Sequence, residues 1–167
     1  AYLLFKACLT SYEACHALDF LEQLQIYKAL RTLLYNLINK TETNTPFFNQ
    51  EAFFILKQSI DKGFLNDGGY LGARSYYNLI ITGLKLGDFK GSVLLIEHYG
   101  NLLNPEIQQR YLDCVWGYYY FYVKNYKKSA YHFMLIGLND DPIMLYSQIR
   151  LFQILYLRQE FELLKGR

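Results

Sequence analysis

Apolar residues recur along this chain of 167 residues at intervals of three and four positions, and short polar segments separate the recurring blocks. That spacing puts the apolar side chains on one face of an α-helix, whereas half-buried strands alternate with a period of two. No segment shows strand alternation, so the predicted fold class is all-α, with about eight or nine helices. The predicted helices cover 1–17, 20–40, 49–62, 73–86, 89–102, 106–123, 126–138, 142–158 and 161 onward.

Local turn chemistry marks many of the predicted helix ends. Asp19, with Glu22 three residues later, has the pattern of a capping box. The Asx-Pro pairs at 104–105 and 141–142 each place a capping side chain before a proline suited to the first helical position. The Gly-rich segment 63–71 is predicted to be a flexible loop. It lacks both the Gly-x-x-x-x-Gly-Lys-Ser/Thr pattern and the preceding strand of a phosphate-binding loop.

The second half of the chain repeats itself at a spacing of 37 residues, the interval from Pro105 to Pro142. The other matched positions are Asp88-Phe89 with Asn125-Tyr126, Ser92 with Ser129, Ile96 with Phe133, and Leu79 with Trp116. One such period is the length of a helical hairpin. A hairpin cannot bury both of its apolar faces alone, so successive hairpins are expected to stack into a superhelix.

The segment 110–142 resembles the tetratricopeptide repeat family. Trp116, Gly117 and Tyr120 fall at the family's large, small and large positions of the first helix, and Ser129 and Phe133 at the small and aromatic positions of the second. A looser unit covers 73–105 and a third, truncated one begins near 143. The resemblance implies an all-α, right-handed superhelix of stacked antiparallel hairpins, a TPR-like α-α solenoid. Because the family period is shorter than 37 residues, we expect longer helices or loops here.

We therefore expect a single helical-repeat domain over 1–167. Irregular N-terminal helices would occupy 1–62, and TPR-like repeats would occupy 73–167. The chain begins without Met and both of its ends fall inside predicted helices, so we expect a piece of a longer protein.

The resemblance also implies a concave groove lined by the first helix of each hairpin. Its positions here are Arg74, Tyr77, Ile81 and Lys85, then Tyr111, Cys114, Tyr118, Phe121 and Tyr122, then Tyr146, Ile149, Gln153 and Tyr156. The expected partner-binding residues among them are Arg74, Tyr77, Lys85, Tyr111, Tyr118, Tyr122, Tyr146 and Tyr156. Trp116 and Tyr120 are expected to face the paired helix instead. Cys114 and Tyr118 occupy two positions where some family members clamp a terminal carboxylate, so that clamp is not expected.

The composition is unusual in its 17 Tyr and 12 Phe residues against a single Trp. Tyr combines a large apolar body with a hydroxyl group that tolerates water. Packing between helices accounts for such a composition, and so does a Tyr-lined groove for a peptide, because Tyr is enriched at interfaces. A neutral aromatic groove would prefer an apolar segment or a partner helix.

Other function classes lack their usual signals. The net charge is +2 and the longest basic run is Lys127-Lys128, which is no clustered basic face for nucleic acid. No run of 18 apolar residues predicts a membrane span. The three His and three Cys residues lack metal-ligand spacing, and no nucleophile motif is present. We therefore expect no catalytic site, metal or cofactor, and the small odd number of Cys residues favours a cytoplasmic protein.

The leading hypothesis is a non-enzymatic protein–protein interaction or scaffold module that binds a peptide or partner helix through a Tyr-rich groove. Self-association through exposed repeat ends is a related possibility. One alternative is a purely structural repeat segment of a larger protein. Another is single-stranded RNA binding, because 77–85 resembles the pentatricopeptide relatives.

Overall fold

The computed structural model describes residues 3, 6, 7, 10, 11, 18–40, 45–137 and 141–165. Within these residues there are seven long helices and one short β-hairpin. The elements are α1 (Phe20–Lys40), α2 (Thr45–Asp61), β1 (Asn66–Asp67), β2 (Tyr70–Leu71), α3 (Ala73–Lys85), α4 (Phe89–Gly100), α5 (Pro105–Tyr122), α6 (Tyr126–Ile136) and α7 (Pro142–Lys165). No helix in this part of the chain combines the length and the apolar character needed to cross a membrane. Two compact units comprise Ala1–Leu71 and Gly72–Arg167.

The first unit is built on the packing of α1 against α2. Its core consists of Tyr27, Leu30, Leu34, Ala52, Ile55 and Phe64. The predicted capping box is confirmed: Glu22 N donates to Asp19 Oδ1 at 2.8 Å, and Asp19 N donates to Glu22 Oε2 at 3.0 Å. α2 begins at Thr45, four residues before the predicted start, because Pro46 is tolerated in the first turn of a helix. The helix predicted over 1–17 lies mostly outside the described residues.

The segment predicted as a flexible loop contains a β-hairpin, so the expectation of no strands was wrong here. Asn66 pairs with Leu71 and Asp67 with Tyr70 in an antiparallel ladder. Gly68 and Gly69 form the turn with φ of +57° and +87°. Positive φ at both central residues is the geometry of a tight hairpin turn, and Gly-Gly is one of its sequence signals. Each strand has only two residues, which is too short for any alternation of apolar positions to show.

The second unit consists of the hairpins α3–α4 and α5–α6, followed by α7. α5 is central to it and contacts α3, α4, α6 and α7. The bounds of α3 to α6 agree with the prediction to within two residues. α7 does not, because it runs unbroken to Lys165, and the turn predicted at 159–160 is wrong. That turn consists of Gln and Glu, which are good helix formers, and contains neither Gly nor Pro to end the helix.

The two hairpins have matching turns at the predicted spacing of 37 residues. Gly87 and Lys124 both adopt positive φ, +80° and +61°. Asp88 N donates to Gly83 O at 3.2 Å after the first helix, and Asn125 N donates to Tyr120 O at 2.8 Å after the second. These are the same helix-ending motif, with a left-handed residue just beyond the last turn. The side chains of Asp88 and Asn125 then cap α4 and α6.

The α5–α6 hairpin closes around Gly117. A Cβ atom at this position would lie 2.4 Å from Cε1 of Phe133, so only glycine allows the ring so near the backbone. Ser129 Oγ donates to the carbonyl oxygen of Gly117 at 2.8 Å. Phe133 and Ser129 are both fully buried, as are their counterparts Ile96 and Ser92 in α4, 37 residues earlier.

Candidate functional site

A groove of about 340 Å³ lies in the second unit, between α3, α5 and α7. α3 and α5 are the first helices of the two hairpins and α7 follows them, and their side chains converge because α5 contacts both of the others. The lining residues are Tyr77, Ile81 and Lys85 from α3, Tyr118 and Tyr122 from α5, and Tyr146, Ile149, Arg150 and Gln153 from α7. The spacing of four residues between the α3 positions and between the α5 positions puts each set on one helical face.

The structure brings together five of the eight residues expected to bind a partner: Tyr77, Lys85, Tyr118, Tyr122 and Tyr146. Three other positions that the resemblance assigned to the groove, Ile81, Ile149 and Gln153, also line it. Eight of the nine lining residues are therefore positions that the sequence analysis named, and the ninth is Arg150. Its ability to bind a partner stays a prediction.

Tyr111 does not line the groove and instead contacts the start of α7. It is buried, and its hydroxyl group donates to Asp141 Oδ2 at 2.6 Å. Asp141 Oδ1 accepts from Ile143 N at 2.9 Å and so caps the start of α7. Burial, followed by this hydrogen bond, raises the pKa of Tyr111 well above its usual range. The expected groove residue is thus part of the contact between α5 and the start of α7.

Arg74 and Tyr156 are also outside the groove lining. Arg74 is exposed on the first turn of α3, close enough to Tyr111 to lower the pKa of that hydroxyl group slightly against the larger effect of burial. Tyr156 is exposed on α7, one turn beyond Gln153. Cys114, another position implied by the resemblance, is fully buried with its Sγ 3.2 Å from Ser147 Oγ. Burial is the main reason that the pKa of Cys114 rises to about 12.

Tyr77 and Tyr118 form the wall between α3 and α5. Their rings meet edge to face with centroids 5.7 Å apart. Burial raises the pKa of both hydroxyl groups, and a side-chain hydrogen bond to Tyr118 raises that of Tyr77 further. Tyr118 also packs edge to face on Phe133 at 5.1 Å, so it belongs to both the groove wall and the hairpin core.

Tyr120 faces the paired helix, as predicted. Its ring stacks on His132 of α6 with centroids 5.4 Å apart and planes 14° apart. Nδ1 of His132 lies 2.9 Å from Oδ1 of the buried Asp113. Trp116 stacks on Tyr120 at 5.9 Å along the same helix. The two contacts of His132 tie α5 to α6 on the side of the hairpin that does not line the groove.

Arg150 is the lining residue that the sequence did not single out. Its guanidinium carbon lies 5.3 Å from the ring centroid of Phe121, and its Nη1 donates to Gln153 Oε1 at 2.8 Å. Its charge also opposes the effect of burial on the pKa of Tyr122. The resemblance supplied no motif position for it. Its position one residue after Ile149, a predicted groove residue of α7, is the signal from which it could have been predicted.

A second concavity, of about 460 Å³, lies on the first unit. All its walls come from α1: Gln25, Lys28, Ala29, Thr32, Leu33 and Asn36. A depression formed along one helix is an open surface rather than a cleft between elements, so the groove of the second unit is the stronger candidate.

The described residues contain no group of His, Cys, Asp and Glu arranged to hold a metal ion. Comparisons with known protein families, with characterised proteins and with solved structures found no match to this chain.

Proposed function

We propose that the second unit is a non-enzymatic protein-interaction module whose groove binds a peptide segment or a partner helix. The observation that carries the proposal is the convergence of tyrosines from α3, α5 and α7 on one groove. Tyr supplies a large contact area at low conformational cost and is enriched in protein interfaces.

The rigidity of the groove wall supports this function. Tyr77 packs on Tyr118, and Tyr118 packs on the buried ring of Phe133, so the wall is fixed before any partner arrives. A preformed surface loses less side-chain entropy on binding than a mobile one. By contrast, Tyr146 on the α7 side is 63% exposed and offers its ring to an incoming side chain.

We extend the proposal to the arrangement of the hairpins, which would continue the right-handed superhelix of TPR-like proteins. The matching turns at Gly87 and Lys124 support this extension, because identical connections repeat the same change of direction. A cytoplasmic location is also part of the proposal and is supported by the buried free thiol of Cys114.

A structural role is the second candidate, and exposed apolar side chains along α7 favour it. Those that share one face of α7 are Leu145, Phe152 and Leu155. A surface of this kind suits packing against another helix or a second copy of the chain. Sedimentation analysis of the wild type and of Leu145→Gln/Phe152→Gln tests it, because self-association through this face disappears in the variant.

Peptide selection tests the groove proposal. A library of random twelve-residue peptides is displayed on phage and selected on the immobilised protein, and the selected peptides are measured by fluorescence anisotropy. Tyr146→Ala is expected to weaken their binding about ten-fold or more, as truncation of an aromatic anchor does. Tyr131→Ala is the matched control, because Tyr131 is 58% exposed on α6 and does not line the groove. Equal binding by both variants would argue against the groove.

A further inference from the structure

The groove carries positive charge that its own walls do not neutralise. Lys85 and Arg150 both line it, from α3 and α7 respectively. Among the described lining residues none is acidic, and the others are Tyr, Ile and Gln. A groove with two cations and no carboxylate has an electrostatic preference for an acidic ligand.

Neither cation is paired with a carboxylate in the described part of the chain. The ion pairs found there include Lys6 with Glu51 and Lys57 with Asp61, and neither Lys85 nor Arg150 takes part in one. Arg150 makes its hydrogen bond to the neutral Gln153 and lies near the ring of Phe121. These contacts orient the guanidinium group while leaving its charge uncompensated.

The tyrosines of the groove do not supply negative charge. Burial raises the pKa of Tyr77, Tyr118 and Tyr122, so all three hydroxyl groups stay protonated at neutral pH. A protonated hydroxyl group is also a hydrogen-bond donor. The hydroxyl group of Tyr77 already bonds to Tyr118, so the groups that suit carboxylate oxygens are the two cations and the remaining tyrosine hydroxyl groups.

The apolar surface of the same groove favours a ligand that also carries apolar groups. Ile81 on α3 and Ile149 on α7 line it together with the tyrosine rings. A ligand that satisfies every part of the lining carries apolar side chains beside its carboxylates. Nucleic acid fits less well, because it requires a clustered basic face and the net charge of the whole chain is only +2.

We propose that the groove binds an acidic, apolar-containing peptide segment of another protein. Asp or Glu side chains of the segment lie against Lys85 and Arg150, and its apolar side chains pack on the tyrosines and isoleucines. This inference rests on the proposed function, and it narrows the partner from any peptide to one class.

The test compares two peptide selections from the same random library, one on the wild type and one on the Lys85→Gln/Arg150→Gln variant. The wild type is expected to enrich peptides with Asp or Glu next to Leu, Ile or aromatic residues. The variant is expected to retain the apolar preference and lose the acidic one. Lys127→Gln is the matched control, because Lys127 is exposed on α6 and does not line the groove.

The selected peptides are then resynthesised with every Glu and Asp replaced by its amide. On the wild type the amide form is expected to bind about ten-fold more weakly at low salt. It loses the ion pairs with Lys85 and Arg150, and each exposed ion pair contributes only modestly to the affinity. The difference is expected to shrink as salt screens the charges. On the double variant the two forms should bind equally, and Arg150→Lys should retain most of the preference.

The outcomes distinguish a failure of this inference from a failure of the proposed peptide-binding function. Peptides that depend on Tyr146 but show no acidic preference would overturn the inference and leave the groove function standing. A selection that yields no Tyr146-dependent peptide would overturn both. Displacement of the acidic peptide by a twelve-residue uridine oligonucleotide, abolished in the double variant, would assign the positive charge to RNA and also overturn the inference.

Discussion

The ring of Phe133 lies directly against the backbone of Gly117, so that a Cβ atom at 117 would stand 2.4 Å from its Cε1. Replacing Gly117 by Ala raises helix propensity by about 1 kcal/mol. The steric conflict outweighs this gain, because overpacking a dense core costs about 1–3 kcal/mol. We expect Gly117→Ala to lower the free energy of unfolding, measured by urea denaturation.

The partner substitution provides the control for that prediction. In the double variant Gly117→Ala/Phe133→Leu the smaller side chain leaves room for the new methyl group. The decrease in the free energy of unfolding should therefore be smaller in the double variant than the sum of the decreases in the two single variants. A stabilised Gly117→Ala variant would contradict the close packing of α5 on α6.

Because the turns at Gly87 and Lys124 match, Lys124→Gly and Gly87→Ala are expected to change the stability of the fold in opposite directions. Lys124 adopts the left-handed conformation that glycine adopts at Gly87, and this costs an ordinary residue about 1–2 kcal/mol. Lys124→Gly is expected to stabilise the fold by about 0.5 kcal/mol after the extra freedom of glycine in the unfolded chain is counted. Gly87→Ala is expected to destabilise it by about 1 kcal/mol. Thermal unfolding of both variants measures the signs, and equal signs would refute the equivalence of the turns.

Tyr111 is predicted to matter for stability and not for binding. Tyr111→Phe removes the hydrogen bond of 2.6 Å to Asp141. The expected loss is about 1.5 kcal/mol, the lower end for a bond to a carboxylate, because Asp141 is only partly buried. Affinity for a selected peptide should stay the same in anisotropy measurements. A large loss of affinity with unchanged stability would contradict this prediction and indicate that Tyr111 contacts the peptide.

Alkaline pH is expected to destabilise the second unit. Burial raises the pKa of Tyr76, Tyr77 and Tyr111 above the ordinary value of 10.0. Above about pH 10 the unfolded chain therefore binds fewer protons than the folded one, and stability falls as pH rises. Their contribution is fully present below pH 10. Urea denaturation between pH 8 and pH 11 measures how the free energy of unfolding depends on pH. Tyr77→Phe should make this dependence less steep.

Much of this fold follows from short-range sequence signals. The capping box at Asp19 and Glu22 and the Asx-Pro pairs at 104–105 and 141–142 act within one turn of backbone, so they can be recognised locally. The 37-residue spacing was equally informative, because the same turn chemistry recurs at Gly87 and Lys124.

Other features depend on contacts that no short stretch of sequence contains. The resemblance assigned Tyr111 to the groove, and its hydrogen bond to Asp141, 30 residues away, could not be recognised from the local sequence. Arg150 was missed because its role comes from its neighbours on α5, Phe121 and Tyr122. The hairpin at 66–71 escaped prediction because two-residue strands carry no periodic pattern.

The central claim is that a peptide binds between α3, α5 and α7, and methyl NMR tests it most directly. Ile81 and Ile149 line the groove from opposite sides, whereas Ile96 is buried in α4 and Ile55 in the core of the first unit. A selected peptide is titrated into protein labelled at the isoleucine methyl groups. We predict chemical-shift changes at Ile81 and Ile149 together, with Ile96 and Ile55 unchanged. Saturable binding that leaves Ile81 and Ile149 unperturbed would contradict the claim.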